Sequence, residues 1–243
     1  MTAPLLELHG VSKSFGGVRA VSGLSFTVPE GAIVGLIGPN GSGKTTVFNL
    51  VSGILRPDGG TIALAGESLV GLHPHQICRR GVGRTFQIVQ PFNTLTVLEN
   101  VRVGAFRTTG DPDQATREAA AVLDLVGLAH KRAALPGGLT IADRKRLELA
   151  KALATRPRLL LLDEVMAGLR PAETLEMIEL ARRIHAGGVT LLVIEHVMRA
   201  VMSLSHRIVV LHHGEKIADG APHEVARDPH VIRAYLGEEY RLA

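Results

Sequence analysis

The sequence has little of several things that decide a protein's class. Among its 243 residues there is one cysteine, Cys78, and no tryptophan, and aromatic residues make up only 3%. A single cysteine excludes an internal disulfide, and nothing in the sequence indicates an oxidising compartment. The longest apolar runs (Leu159–Leu162, Leu191–Ile194 and Ile208–Leu211) are far shorter than the roughly 18–20 residues that cross a bilayer. We therefore do not expect the chain to cross a membrane by itself.

The residues that are present indicate a compact chain with an aliphatic core. Hydrophobic residues make up 46% of the sequence, which excludes disorder as a global description. The 27 Lys and Arg residues outnumber the 23 Asp and Glu residues by only four. The length fits one large α/β domain or at most two small ones.

Short apolar runs alternate with helical patterns along the chain, which is typical of an α/β fold with a parallel sheet covered on both faces. The predicted strands are Leu5–His9, Ser22–Val28, Ala32–Ile37, Thr61–Leu64, Leu159–Leu162, Thr190–Ile194 and Arg207–Leu211. The predicted helices are Thr45–Ser52, Ala115–Val126, Asp143–Ala154, Ala172–His185 and Met198–Ser203. The early strands are expected to be antiparallel, and the helical stretch 87–158 is expected to be an insertion. We predict one domain over 1–243, with 1–86 and 159–243 as its core.

A glycine-rich motif follows the apolar run that ends at Ile37. It fits the phosphate-loop pattern G-x-x-x-x-G-K-[ST], in which glycines let backbone N–H groups surround phosphate oxygens at a helix N-terminus. Lys44 would contact the β- and γ-phosphates, and the Thr45 hydroxyl could bind Mg²⁺. The alternative is a structural turn, which the strand before it and the helix pattern after it make a poor fit. The predicted nucleotide-binding residues are Gly38, Pro39, Asn40, Gly41, Ser42, Gly43, Lys44, Thr45 and Thr46.

A second element supports a nucleoside triphosphate site. The run Leu159–Leu162 ends in Asp163 and Glu164. In phosphate-loop proteins a carboxylate at the end of a buried strand holds Mg²⁺, which is the predicted role of Asp163. Glu164 could polarise the attacking water. Alone, such a pair is as often a strand end that meets solvent.

In this order, the two motifs resemble the nucleotide-binding subunit of an ABC transporter, over essentially the whole chain. The resemblance implies that Phe15 stacks on adenine, that Gln87 contacts Mg²⁺ and reports to the membrane domain, and that His196 contacts the γ-phosphate. Taken alone, Phe15 would more often be a core residue, His196 a structural one, and Gln87 would carry no signal. The resemblance also implies ATP and Mg²⁺ as cofactors, with Glu164 and His196 catalytic.

The match is closer still to the longer of the two ATPases of branched-chain amino acid importers. It rests on RTFQIVQPFNTLTVLENV at 84–101, RLELAKALATRPRLLLLDE at 146–164 and the tail from 193 to 240. Such importers combine two different ATPases with two permeases, so this resemblance implies a peripheral subunit at the cytoplasmic face of the inner membrane. The apolar stretch Ile88–Val101 would dock on the permease. Importers of urea or other amides share much of this pattern and remain an alternative.

The signature segment departs from the family. In the dimer one subunit's signature helix offers its N-terminus to the γ-phosphate bound by the other, with the pattern Leu-Ser-Gly-Gly-Gln or Leu-Ala-Tyr-Gly-Gln. Ala142 replaces a glycine that lets backbone approach phosphate, and Asp143 adds a carboxylate where an anion should bind. Thr140 and Asp143 could form a capping box, worth about 1 kcal/mol to the helix. The aligned residues here are Leu139, Thr140, Ile141, Ala142 and Asp143.

Two further positions depart from the pattern. Arg170 stands where an Asp or Asn would cap the next helix, and Val197 stands where Asp usually follows the switch histidine. We infer a functional asymmetry, in which this chain's own site hydrolyses ATP while the site completed by its signature binds ATP and turns over poorly. Neutral drift, engineering or a sequence error is the alternative.

Two other functions compete with transport. A soluble ABC ATPase acting on nucleic acid or ribosomes would use basic clusters such as Arg79-Arg80. The interleaved acids and scarce aromatics disfavour it, so no nucleic acid partner is expected. A regulator without catalysis would need neither Glu164 nor His196.

Overall fold

The computed structural model describes residues 4–236, with side chains up to Tyr235. The chain divides into two compact units. One contains the described residues up to Ile77 and those from Thr190 onward, and the other is Cys78–Val189. Among the described helices, none combines the length and the apolar character that a membrane span requires.

The first unit holds two groups of strands. The antiparallel sheet has the spatial order β2 (Val18–Pro29), β1 (Pro4–Phe15), β4 (Gly59–Leu64) and β5 (Glu67–Ser68). In the other group β3 (Ile33–Ile37) pairs in parallel with β8 (Thr190–Ile194) and β9 (Arg207–His212), and β10 (Glu215–Gly220) pairs antiparallel with β9. All residues of β3 and β8 are buried, which explains their continuous apolar sequences. The helices are α1 (Lys44–Val51), α7 (Met198–Leu204), α8 (Pro222–Val225) and α9 (Pro229–Leu236). Helix α2 (Pro74–Arg80) begins in this unit, and its last three residues belong to the second unit.

The second unit is mainly helical. Its strands β6 (Val82–Arg84) and β7 (Leu159–Asp163) pair in parallel, and β7 is fully buried. Helix α3 packs against α4 and α5, and α5 also contacts β6. The helices are α3 (Val97–Ala105), α4 (Pro112–Val126), α5 (Ile141–Leu153) and α6 (Pro171–Ala186), with short 3₁₀ turns at Ala129–Lys131 and Pro136–Gly138.

The predicted fold class is confirmed: the chain has an N-terminal antiparallel sheet, a parallel strand group and a helical segment. Every predicted strand and helix exists, but the sequence patterns missed β5, β6, β10 and four of the described helices, namely α2, α3, α8 and α9. The compact units also differ from the predicted core and insertion, because residues 78–86 and 159–189 group with the helical segment through the pairing of β6 with β7. The assignment of 1–243 to a single domain remains a prediction.

Candidate active site

The phosphate loop connects the buried strand β3 to helix α1. Helix α1 begins at Lys44, whose side chain is buried and whose ammonium donates to the carbonyl oxygens of Gly38 (2.8 Å) and Pro39 (2.9 Å). Carbonyl oxygens of the loop therefore hold the Lys44 ammonium in place. Thr45 is exposed at the start of the helix, as a residue that binds a metal ion and a nucleotide would be.

Two glycines of the loop are required by close backbone approach. A Cβ at Gly38 would lie 2.1 Å from the Leu211 carbonyl oxygen, and a Cβ at Gly43 would lie 2.4 Å from the Ala20 carbonyl oxygen. Gly43 also has φ of 104°, a conformation that L-residues rarely adopt. Any side chain at either position would displace the loop, so the motif's glycines are structural requirements of this turn.

The N-terminus of α1 carries no competing anion. Its first turn has no acidic residue, and no side chain caps it. The Ser42 hydroxyl in the loop is buried and makes no hydrogen bond within the described structure. Backbone N–H groups without intrahelical partners and the positive end of the helix dipole favour an anionic ligand at the start of α1.

Phe15 and His196 both lie at strand ends with exposed side chains. Phe15 is the last residue of β1 and is 47% exposed, with the Lys13 ammonium 5.8 Å from its ring centroid. The core alternative for Phe15 is therefore wrong, and the exposed ring fits stacking on a base. His196 lies between β8 and α7. Their contacts with a nucleotide remain predictions.

In the second unit, Asp163 ends β7 and is buried with a basic partner. The Arg84 guanidinium donates to Asp163 Oδ2 at 2.9 Å, and both side chains are largely buried. Burial raises the pKa of Asp163 above its ordinary value, although the hydrogen bond and the charge of Arg84 oppose this. Its second oxygen, Oδ1, is buried and accepts no hydrogen bond from the described residues. A buried carboxylate oxygen without a donor suits a cation, so this residue fits the predicted Mg²⁺ role.

Glu164 is joined to two other residues of this unit. Its carboxylate oxygen Oε2 accepts a 2.7 Å hydrogen bond from Gln87 Nε2. Its backbone carbonyl accepts a 2.9 Å hydrogen bond from the Lys145 ammonium. The structure therefore brings together the two predicted residues Gln87 and Glu164, and adds a lysine that the motifs did not indicate.

The signature segment forms the predicted capping box. Thr140 is the N-cap of α5, its Oγ1 accepts from the Asp143 N–H (3.2 Å), and Asp143 Oδ2 accepts from the Thr140 N–H (3.4 Å) and hydroxyl (2.7 Å). Helix α5 therefore begins at Ile141 rather than at the predicted Asp143. The Lys131 ammonium, 2.5 Å from Asp143 Oδ2, neutralises the carboxylate, which the sequence did not indicate. Although burial opposes ionisation, the hydrogen bonds from Lys131 and Thr140 and the Lys131 charge hold the pKa of Asp143 below its usual value.

Arg170 is the N-cap of α6, as predicted, and its side chain accepts no capping hydrogen bond. Glu173 compensates: it accepts from the Arg170 backbone N–H (2.9 Å) and from its guanidinium (2.7 Å). Val197 is the N-cap of α7 and supplies no hydrogen bond there. Both departures from the family pattern thus lie at the cap positions where Asp or Asn would be favourable.

Sequence reasoning missed three cations that hold the predicted acidic residues: Arg84 on Asp163, Lys145 on Glu164 and Lys131 on Asp143. Each pair is distant along the chain, so no motif joins its members. The sequence carried no signal for any of them, because β6, the strand that places Arg84 beside β7, was itself not predicted.

Comparison with known proteins agrees with this arrangement. The ABC transporter family matches residues 21–167, and the family described as the branched-chain amino acid ATP-binding cassette transporter matches residues 215–241. The chain belongs to the ABC transporter ATP-binding family. Residues 237–241 of the second match, which include part of the predicted tail, lie outside the described residues.

Individual relatives of this ABC ATPase cover nearly its whole length. The high-affinity branched-chain amino acid transport ATP-binding protein BraF of Pseudomonas aeruginosa is 42% identical, over 98% of this chain and 100% of the relative. LivG of Salmonella typhimurium, whose name describes the same transport function, is 43% identical with the same coverage.

A solved structure gives the same result for the fold. The ADP conformation of MJ1267, an ATP-binding cassette of an ABC transporter, has a TM-score of 0.88 and 30% identity, and covers 98% of this chain and 100% of the other. The predicted family, fold and ATPase class are thereby confirmed.

Proposed function

We propose that this ABC ATPase powers an importer of branched-chain or related amino acids. Residues 215–241 match the family named for branched-chain amino acid transporters, and the relatives BraF and LivG are 42–43% identical over nearly the whole chain. The partners would be a second, different ATPase and two permeases at the cytoplasmic face of the membrane. The proposal therefore rests on end-to-end similarity rather than on a single motif.

We infer that some residues of this chain bind the ATP phosphates and Mg²⁺, whereas Glu164 activates the attacking water. The N-terminus of α1 and the Lys44 ammonium would neutralise phosphate charge, because the loop carbonyl oxygens of Gly38 and Pro39 fix this cation next to the start of the helix. Asp163, whose buried Oδ1 accepts no hydrogen bond from the described residues, would hold Mg²⁺, which when bound neutralises charge that develops on the phosphates. The Mg²⁺ contacts that the resemblance implies for Thr45 and Gln87 remain predictions. Glu164 would orient and polarise the attacking water once Gln87 releases its carboxylate oxygen.

The apolar residues that follow β6 support a docking role for this segment. Phe86, Ile88 and Phe92 expose about half or more of their surface, whereas Val97 and Val101 are buried in α3. Within the predicted permease contact Ile88–Val101, the part around Ile88 and Phe92 would therefore contact the permease. Because Gln87 lies in this segment and bonds to Glu164, a permease that moves the segment would also move the partner of the catalytic carboxylate.

The capping box supports the inferred asymmetry between the two ATP sites of the dimer. Thr140 and Asp143 satisfy N–H groups at the start of α5, and Ala142 leaves less room for phosphate than glycine would. Lys131 forms an ion pair with the Asp143 carboxylate, so this negative charge is not isolated. Phosphate binding at the start of α5 is therefore hindered mainly by the occupied N–H groups and by the Ala142 side chain. The site completed by this signature would bind ATP and hydrolyse it slowly.

The substitution Glu164→Gln tests the catalytic part of this proposal. ATP binding by the purified complex should persist while hydrolysis falls at least about 100-fold, equivalent to about 2.7 kcal/mol of barrier. Glu179→Gln, which removes an exposed carboxylate from α6, is the matched control and should leave the rate unchanged. Full hydrolysis by Glu164→Gln would contradict the assigned role.

The transported solute is tested in proteoliposomes that contain the complete importer and its binding protein. Leucine, isoleucine or valine should stimulate ATP hydrolysis and accumulate inside the vesicles. Stimulation by urea or amides alone would overturn the amino acid assignment and leave the ATPase assignment intact.

A further inference from the structure

Lys145, Glu164 and Gln87 form a closed hydrogen-bonded triangle within the second unit. The Lys145 ammonium donates to the Glu164 carbonyl oxygen at 2.9 Å and to the Gln87 carbonyl oxygen at 3.3 Å. Gln87 Nε2 donates to Glu164 Oε2 at 2.7 Å, which joins the remaining pair. Each residue therefore contacts the other two, so a displacement of one changes the surroundings of both.

The backbone of Glu164 adopts a conformation that requires support. Its φ is 50°, in the left-handed region that non-glycine residues rarely occupy. The residue begins a tight turn, in which its carbonyl oxygen also accepts the Ala167 N–H at 3.2 Å. The Lys145 ammonium donates to that same carbonyl oxygen, at the point where the chain leaves β7 and the carboxylate direction is set.

Lys145 is buried, and its ammonium interacts with nearby oxygen atoms rather than with solvent. The residue is only 7% exposed, and a buried ammonium is costly unless carbonyl or carboxylate oxygens surround it. Besides the two carbonyl oxygens, its charge acts on Asp163 and favours the ionised form of that residue. A lysine held in this way is fixed in position, unlike most lysines, which extend into solvent.

Lys145 lies in the second turn of α5, four residues after the helix begins at the signature segment. The helix is continuous through this region, so its first turn and Lys145 move together. The lysine thus links the helix that carries Thr140–Asp143 to the turn that carries Glu164.

We propose that Lys145 is a positioning residue for ATP hydrolysis, which holds the Glu164 turn and the Gln87 backbone in register with helix α5. This inference rests on the proposed catalytic role of Glu164. Lys145 itself would contact neither the nucleotide nor the attacking water. Through it, the placement of this chain's own carboxylate depends on the position of its signature helix.

The test compares Lys145→Met with Lys145→Arg in the complete importer. Lys145→Met keeps much of the apolar stem but removes the ammonium, so kcat should fall about tenfold while KM for ATP changes less than twofold. Lys145→Arg retains donors for both carbonyl oxygens and should recover at least a third of the wild-type kcat. Arg182→Met, which removes a solvent-exposed cation that pairs with Glu179 in the same unit, is the control and should keep kcat within twofold.

The double variant Lys145→Met with Glu164→Gln separates this inference from the proposed function. If Lys145 acts through Glu164, the double variant should hydrolyse ATP no more slowly than Glu164→Gln alone. Unchanged kcat in Lys145→Met beside an inactive Glu164→Gln would overturn only the positioning role. Full activity of Glu164→Gln would overturn the function on which it rests.

A folding defect would not hide the answer. If Lys145→Met does not fold, Lys145→Gln replaces it, since the amide keeps donors without the charge. A kcat loss of at least threefold with unchanged KM would then support the positioning role, and wild-type kcat would contradict it.

Discussion

The N-termini of α1 and α5 show two opposite uses of the same local element. Helix α1 begins after Gly43 with no acidic residue in its first turn and no side-chain cap. Helix α5 begins after Thr140 with a complete capping box, and Lys131 secures its acidic member. Both helix ends carry N–H groups without intrahelical partners and partial positive charge.

Capping side chains and anionic ligands compete for the same N–H groups at a helix N-terminus. A capped helix gains about 1 kcal/mol of stability, whereas an uncapped one keeps its donors for an anion. The N-terminus of α1 is therefore suited to bind phosphate, whereas the capping box at α5 already occupies the N–H groups of Thr140 and Asp143.

The largest effect on ATP hydrolysis is expected at the N-terminus of α1, which no side chain caps. Lys44→Met removes the ammonium that the phosphate loop surrounds, so ATP hydrolysis should fall at least 100-fold, or about 2.7 kcal/mol. Lys216→Met, which breaks an ion pair with Asp219 in the same unit, should hydrolyse ATP at the normal rate. Steady-state phosphate release measures the hydrolysis rate of both variants. Equal rates for Lys44→Met and Lys216→Met would contradict the phosphate-binding role of the α1 N-terminus.

The capping box at the N-terminus of α5 should make a pH-dependent contribution to the free energy of unfolding. Because the native pKa of Asp143 is depressed, its ionised form contributes stability above the unfolded pKa near 3.9, and this is lost as pH falls through the native value. Asp143→Asn should therefore lower the free energy of unfolding by about 0.5–1 kcal/mol at pH 7, and by progressively less below pH 4.

Urea unfolding of Asp143→Asn and Lys131→Met at several pH values measures this contribution. The two losses should overlap, because both substitutions break the same ion pair. Equal losses at pH 7 and at pH 3 would show that the ion pair does not stabilise the cap.

The smallest effect is expected at a third helix end that is neither capped nor assigned to phosphate. Val197 is the N-cap of α7, and its side chain offers no acceptor. Val197→Asp should raise the free energy of unfolding by about 0.5–1 kcal/mol at neutral pH, since Asp is among the best N-caps. Val197→Ala serves as control in the same denaturant titration and should not stabilise. A loss of stability in Val197→Asp would mean that this end already has a partner.

Locally encoded features could be predicted from the sequence. The phosphate loop, the buried strands and the Thr140–Asp143 capping box depend on residues within a few positions of each other, and the structure contains all of them. The capping rules also placed Arg170 correctly at its N-cap. The predicted roles of Phe15 and His196 remain predictions, although both side chains are exposed at strand ends.

Contacts between distant residues could not be predicted in this way. Arg84 and Asp163 are 79 positions apart, and Lys145 and Glu164 are 19 apart. Their pairing depends on the packing of β6, β7 and α5, which no periodicity in a single sequence specifies. The missed helix α3 has a capping box of its own at Thr96 and Glu99, a local signal that could have been read.

Restoring the family pattern at the N-terminus of α5 tests most directly whether the capping box there limits one ATP site. The double substitution Ala142→Gly with Asp143→Gln should be assayed for steady-state ATP hydrolysis in the assembled transporter, beside the unaltered complex. The rate should rise at least severalfold, because phosphate gains close approach to the start of the helix. An unchanged rate would contradict this prediction, and would mean that the capping box at Thr140 and Asp143 does not limit turnover.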